Sequence, residues 1–181
     1  LNYVQRLSGV ATMTHSYSAL IADLPCKLLD TRKTTPGWRA LEKWAVHVGG
    51  GSNHRIGLYD MVMLKDNHVD FAGGIEQAIT RTKKYLDENG LHLKIEVETR
   101  NLDEVKQVLD IGGIDYIMLD NMDYDTMREA VQLIGGRYST EASGGITEET
   151  VAAVAECGVD YISMGALTHS VSSLDISLKA F

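Results

Sequence analysis

Six short apolar runs recur along these 181 residues, and each closes on a residue able to do chemistry. They are Cys26–Asp30, Met61–Lys65, Lys94–Glu98, Tyr116–Asp120, Tyr138–Ser143 and Tyr161–Met164. Tyrosine, isoleucine and valine in runs this short suit buried strands. Between them the apolar residues fall at helical spacing: Ile75, Ala78, Ile79 and Leu86; Leu102, Val105, Val108 and Leu109; Met127, Ala130, Val131 and Ile134. A further helix is expected from about Glu148 to Glu156, and a long one over Asn2 to Leu24, where Gly9 weakens the case for one unbroken piece. Strands alternating with helices, and no hairpin signals, predict a parallel sheet.

Punctuation supports the pattern. Asn89-Gly90 and Gly135-Gly136 read as helix stops. Thr35 before Pro36 reads as an N-cap with proline in the first turn. The polar strand endings then separate two architectures. In a barrel the C-terminal strand ends meet at one mouth, whereas in an open doubly wound sheet they spread along an edge and ligand binds only near the switch point. Asp30-Thr31-Arg32-Lys33, Lys65-Asp66-Asn67-His68, Glu98, Asp120-Asn121, Ser143 and Ser163 make polar chemistry at all six ends. Convergence explains that more simply, so the expected fold is an α/β, TIM-like (β/α) barrel of parallel strands. Six strands are too few to close it, so either the barrel is open or the chain lacks a piece.

Several function classes are excluded by simpler quantities. The net charge of −8 argues against duplex nucleic acid as a partner. The longest apolar stretch, Tyr17 to Leu24, is interrupted by Ser18 and Asp23, so no membrane span is expected. Cys26 and Cys157 are the only cysteines and stand in different elements. That suits a reducing compartment, with the cytoplasm the expected location.

Three constellations carry chemistry. Arg32, Lys33, His54, Arg55 and Lys65 form a cationic group around the first two strand ends; a polyanionic small molecule is its natural partner, because the guanidinium fork matches carboxylates and lysine adds a point charge. Glu96 and Glu98 point to one face of their strand, and Asp120 ends the next. Such oxygens suit Mg²⁺ held together with substrate phosphates, or an interior pairing with Lys65 or Arg55. Ser143-Gly144-Gly145 and Met164-Gly165-Ala166 each follow a strand and precede a helix, where backbone N–H groups cradle phosphate. His68 and His169 follow strand ends and are weaker candidates.

Seven motifs now stand in order: LLDTRKTTPGWR (Leu28–Arg39), GGGSNHRIGLYD (Gly49–Asp60), MLKDNH (Met63–His68), IEVE (Ile95–Glu98), MLDN (Met118–Asn121), EASGGIT (Glu141–Thr147) and ISMGALTHS (Ile162–Ser170). Together they resemble the quinolinate phosphoribosyltransferases along nearly the whole chain. The resemblance implies an open, seven-stranded α/β barrel over residues 1–172, with residues 173–181 a C-terminal helix packing toward an N-terminal sandwich domain. That domain, and an arginine lent to the neighbouring subunit, would lie upstream of Leu1. It implies a homodimer, and transfer of phosphoribose from 5-phosphoribosyl-1-pyrophosphate to quinolinate with decarboxylation and Mg²⁺; a related transferase acting on nicotinate, or a barrel that only senses a phosphorylated metabolite, is the alternative. By motif, Thr31, Arg32, Lys33, His54, Arg55 and Lys65 would hold quinolinate. Lys33, Glu98, Asp120, Ser143, Gly144, Gly145 and Gly165 would take the phosphoribosyl donor, Glu98 and Asp120 the metal, and Lys33, Lys65, Glu98 and Asp120 the catalysis. Trp38, where the family often has leucine, is a packing change.

Overall fold

The computed structural model describes all 181 residues. Six parallel strands form one sheet: β1 (Lys27–Leu29), β2 (Val62–Leu64), β3 (Ile95–Thr99), β4 (Tyr116–Asp120), β5 (Ser139–Ser143) and β6 (Tyr161–Ser163), in the order β1-β6-β5-β4-β3-β2. The helices are α1 (Asn2–Leu20), α2 (Arg39–Val48), α3 (Asp66–Ala72), α4 (Ile75–Glu88), α5 (Leu102–Ile111), α6 (Tyr124–Ile134), α7 (Val151–Ala155) and α8 (Ala166–His169).

Register explains how this sheet makes a polar interior. Met63 pairs with Glu96, Glu96 with Tyr116, and Tyr116 with Ser139; two residues on, Glu98, Met118, Glu141 and Tyr161 follow one another across β3 to β6. Side chains at paired positions share a face, so this set lines the lumen. The alternate residues, among them Val97, Ile117, Leu119, Ala142 and Ile162, are completely buried in the main core cluster, which also holds Ile79, Val105, Val108, Ala130, Ile134 and Val154 of the surrounding helices. Apolar burial between sheet and helices, at roughly 25 cal/mol per Å², supplies the driving force; the lumen is left free for polar groups.

The barrel is open between β1 and β2, its two edge strands. Ser52 forms a single parallel bridge beside Leu29, its N–H donating to the Leu28 carbonyl at 2.8 Å. The resemblance implied seven strands; the sheet has six, with Ser52 adding one bridging residue at its β1 edge. Across the seam Arg55 Nη1 reaches the Met61 carbonyl at 3.2 Å.

Four local expectations need correction. Thr35 does not cap a helix: its N–H and hydroxyl both donate to Glu42, at 2.9 and 2.8 Å, and α2 begins only at Arg39. Those bonds pin the loop after β1 onto α2. Helix α1 runs unbroken through Gly9 but stops at Leu20, short of Leu24. Residues 173–181 form no helix. The segment lies along α1, with Leu174 N–H donating to the Gln5 carbonyl and Gln5 Nε2 to the Ile176 carbonyl, both at 3.0 Å. Backbone groups engaged by another element are lost to a helical ladder. The helix expected over 148–156 is shortened to Val151–Ala155. Helix α3 had no sequence signal long enough to show a period.

No helix is long and apolar enough to cross a membrane. Both cysteines are buried and unpaired. Burial pushes the Cys26 thiol up to about 12, which keeps it protonated and unreactive.

Candidate active site

At the C-terminal ends of the strands lies a cavity of about 850 Å³. Thr31, Arg32, Lys33, His54, Arg55, Lys65, Glu98, Asp120, Ser143, Gly144, Gly145 and Gly165 all line it. Six strand ends and the loop that carries His54 and Arg55 thus bring these twelve residues to one place, whereas Glu96 and His68 do not line the cavity.

The cationic wall is built by the β1 loop, the seam loop and the end of β2. Arg32 is held by its main chain, Arg39 donating to its carbonyl at 3.1 Å, while its buried Nε has no protein partner. Arg55 bonds the Met61 carbonyl and lies 3.6 Å from Met63 Sδ. Burial lowers the pKa of Arg55, and the nearby charge of Arg32 lowers it further; Glu96 and Asp60 oppose. A guanidinium remains charged regardless, so these two like charges, crowded and partly desolvated, are poised for an anion. Lys65 reaches Glu98 Oε2 at 3.5 Å. The Lys33 carbonyl accepts from Thr168 Oγ1 at 2.7 Å, tying the β1 loop to α8.

Opposite stand the carboxylates. Glu98 is buried and takes only long contacts, from Lys65 and, at 3.5 Å, from the Asp66 N–H. One oxygen of Asp120 accepts from Asn121 Nδ2 at 2.8 Å; the other takes no hydrogen bond from the protein. Asn121 is the only non-glycine residue with positive φ, at 53°. Gly144, at φ 102°, explains its company: a Cβ there would collide with the Asn121 amide. The two strand ends are therefore shaped against one another. At Gly165 a Cβ would meet His169 Nε2 at 2.8 Å and Lys33 Cδ at 3.2 Å, so the second glycine loop is also tight. Two hard-oxygen groups on adjacent strands, one with a free oxygen, fit a Mg²⁺ that brings its remaining ligands with a phosphorylated substrate.

Beneath the cations lies a group the sequence reading did not single out. His54 Nε2 is 3.1 Å from Glu96 Oε2 and 3.3 Å from Glu141 Oε2, with both carboxylates wholly buried. Neither oxygen lies along the ring N–H axis, so the contact is an ion-pair-like fork and not one aligned hydrogen bond. His54 Nδ1 accepts the Arg55 N–H at 2.7 Å. Burial opposes charge on the ring, but the two carboxylates outweigh it and raise its pKa to about 9. Burial raises Glu96 to about 7; His54 lowers it and Glu141 raises it. The Arg55 N–H at Nδ1 works against a second ring proton, in the same direction as burial. Of the alternative interior pairings with Lys65 or Arg55, Glu98 meets Lys65, while Glu96 meets His54. Glu141 could have been found by the period-two rule, being a charged residue two positions before Ser143 in a buried strand. Asp30, fully buried, holds the same loop from the other side, accepting from Lys43, from Asn53 Nδ2 at 2.5 Å and from the His54 N–H at 2.9 Å. Burial pushes its carboxyl upward against those donors.

Comparison with known proteins decides the family. Residues 10–179 match the model of the quinolinate phosphoribosyl transferase C-terminal domain. The chain belongs to that family. It is 51% identical to quinolinate phosphoribosyltransferase [decarboxylating] 2b of Nicotiana tabacum, covering 99% of this chain and 54% of that protein. It is 49% identical to a probable nicotinate-nucleotide pyrophosphorylase [carboxylating] of Bacillus subtilis, covering 98% of this chain and 60% of the relative. The NadC structure from Streptococcus pyogenes superposes with a TM-score of 0.93 at 43% identity, over 99% of this chain and 62% of the other. The chain spans about half to three-fifths of the length of the curated relatives it matches. Within the family, the motif residues Arg32 to Gly165 sit where their order along the barrel predicts, around one mouth.

Proposed function

We propose that the protein serves in phosphoribosyl transfer from 5-phosphoribosyl-1-pyrophosphate to quinolinate with decarboxylation, giving nicotinate mononucleotide, pyrophosphate and carbon dioxide. One observation carries the reading: a cationic wall, a carboxylate pair and two glycine loops face a single 850 Å³ cavity. That combination matches a dicarboxylate beside a phosphorylated sugar, and relatives about half identical to this chain are named for this reaction.

Chemically, Arg32, His54, Arg55 and Lys65 would hold the two carboxylates of quinolinate, with Lys33 toward the pyrophosphate. The loops at Ser143–Gly145 and Gly165 would take the 5′-phosphate on backbone N–H groups. As pyrophosphate leaves, the ribose acquires oxocarbenium character, which Glu98 and Asp120 stabilise electrostatically in a fixed geometry. The pyridine nitrogen then bonds to the sugar. Its positive charge accepts the electron pair left on C2 when the 2-carboxylate departs as carbon dioxide, and a proton completes C2. Glu98 and Asp120 would also hold Mg²⁺, which supplies charge neutralisation of the departing pyrophosphate. The protein's main tasks are orientation and exclusion of water.

A homodimer is part of the proposal, as is a reducing, cytoplasm-like compartment, which suits two buried free thiols. The test is release of carbon dioxide and pyrophosphate with quinolinate and, separately, with nicotinate. Release of both products with quinolinate alone is expected. Pyrophosphate release with nicotinate and none with quinolinate would overturn the assignment.

A further inference from the structure

Arg32 and Lys33 are neighbours in sequence, but the proposed reaction assigns them different ligands. They stand in the loop between β1 and α2. Around them that loop supplies only two hydrogen bonds of its own, from the Lys33 N–H to Thr31 Oγ1 at 3.1 Å and from the Thr34 N–H to the Arg32 carbonyl at 3.0 Å. A loop bonded so sparsely keeps one shape only if other elements hold it.

Two side chains from outside do so, and they divide the loop between them. Arg39, the first residue of α2, donates through Nη2 to the Arg32 carbonyl and through Nη1 to the Ile56 carbonyl, both at 3.1 Å, and through Nε to Thr34 Oγ1 at 3.2 Å. Ile56 follows Arg55, and its own N–H is fixed by Asp60 Oδ2 at 2.7 Å. One planar guanidinium therefore joins the main chains that carry Arg32 and Arg55.

Thr168 of α8, completely buried, holds the other half. Its hydroxyl donates to the Lys33 carbonyl at 2.7 Å and lies 3.2 Å from the Gly165 carbonyl. The Lys33 stem runs close over Gly165, where a Cβ would meet Lys33 Cδ at 3.2 Å. Behind Thr168, Arg6 Nη2 donates to the Thr168 carbonyl at 2.7 Å and to Glu42 Oε1 at 3.0 Å, and Glu42 in turn takes both donors of Thr35. Neither Arg39 nor Thr168 lines the cavity, nor do Arg6 and Glu42.

We infer that Arg39 and Thr168 are positioning residues that share the β1 loop between two substrates: Arg39 sets the spacing of the Arg32 and Arg55 guanidiniums for the dicarboxylate, and Thr168 sets Lys33 against the Gly165 loop for the phosphoribosyl donor. The chemistry calls for both settings. Two carboxylates on adjacent ring carbons keep a fixed separation, so the two guanidiniums that pair with them must keep one too. The donor carries pyrophosphate at one end and a phosphate at the other, so the span from Lys33 to Gly165 decides whether both ends are held at once. The inference rests on the proposed function for its kinetic test, though not for its exchange test.

Both tests use the intact protein. R39M keeps the stem and removes the fork; its three acceptors are uncharged, so no buried charge is stranded. T168V keeps the shape and removes the hydroxyl. R39M should raise KM for quinolinate about tenfold with KM for 5-phosphoribosyl-1-pyrophosphate within about twofold, and T168V should do the reverse, each with kcat within about threefold. T168S, which retains the hydroxyl, should restore most of the loss. The same KM shift in both variants, loss of active protein with both KM values unchanged, or T168S no better than T168V overturns the inference. Where R39M or T168V does not fold, R39K or T168A takes its place with the same expected split. Without substrate, hydrogen exchange at the Thr34 and Thr35 amides should be about fivefold faster or more in R39M and T168V than in the wild type; equal rates overturn the inference as well. If the wild-type protein releases no pyrophosphate with quinolinate, the proposed function fails, and the exchange rates alone decide whether the loop is held in this way.

Discussion

Arg55 illustrates how one side chain depends on several others. Its main chain is anchored on His54, its guanidinium rests on the Met61 carbonyl, and burial beside Arg32 leaves it short of counter-charge. An incoming carboxylate relieves that, so Arg55→Ala is expected to abolish detectable quinolinate binding while the fold survives. The loss should be roughly 2–5 kcal/mol, by analogy with desolvated charge pairs at interfaces; calorimetry on the folded variant reads it, and near-native affinity would refute the role. Asp120 differs, because one of its oxygens takes no hydrogen bond from the protein and it stands among the carboxylates assigned to the ribose and metal. Asp120→Asn should lower turnover by an order of magnitude or more, with little change in quinolinate affinity, since the charge matters where the transition state develops it. Unchanged kcat at saturating substrates and Mg²⁺ would remove Asp120 from the mechanism. At this scale the site was legible wherever a charged residue ended a strand. Glu141, mid-strand, is marked only by the period-two rule through Ser143, and its contact with His54 is not legible, because His54 comes from a loop whose path no local pattern reveals.

Among the elements, β3 to β6 were readable because each is short, apolar and followed by a glycine or a capped helix. Their two faces were less so: Glu96, Glu98 and Glu141 place charge on the lumen face beside Tyr116, Met118 and Tyr161, and only the register shows which residues share it. Sheet closure is a tertiary fact and cannot be read from one strand. The C-terminal segment shows the same limit. It looks able to form a helix, but α1 claims its backbone, and the close approach is possible because residue 9 is glycine. A Cβ at Gly9 would overlap the Ser172 carbonyl. Gly9→Ala is therefore expected to lift residues 171–181 off α1, although alanine favours the helix itself by about 1 kcal/mol. Overpacking of this kind typically costs about 1–3 kcal/mol. Limited proteolysis should cut the variant near its C-terminus faster than the wild type, and denaturant unfolding should show a lower midpoint. Equal cleavage and equal stability would mean the segment does not depend on that contact.

For the molecule as a whole, the issue is apolar surface. Tyr3, Val4, Trp44, Val48, Leu178 and Phe181 are all more than half exposed, and they belong to α1, α2 and the segment laid along α1. Scattered exposed apolar residues are ordinary; large ones gathered on adjoining elements mark a surface that something covers. The curated relatives are nearly twice as long as this chain, so they possess further residues able to do so. Two consequences are expected of residues 1–181 studied alone. They should self-associate as concentration rises, because burying that surface against another copy gains roughly 25 cal/mol per Å². They should also turn over quinolinate more slowly than a chain extended upstream by one small domain, on the order of 100 residues. The cavity is partly open to solvent, and a further wall would both exclude water and add charge to hold the dicarboxylate. Sedimentation velocity across a concentration series, with carbon dioxide release from both chains, checks this. A short chain that stays monomeric and matches the longer one in turnover would mean that the barrel is sufficient and its apolar face idle.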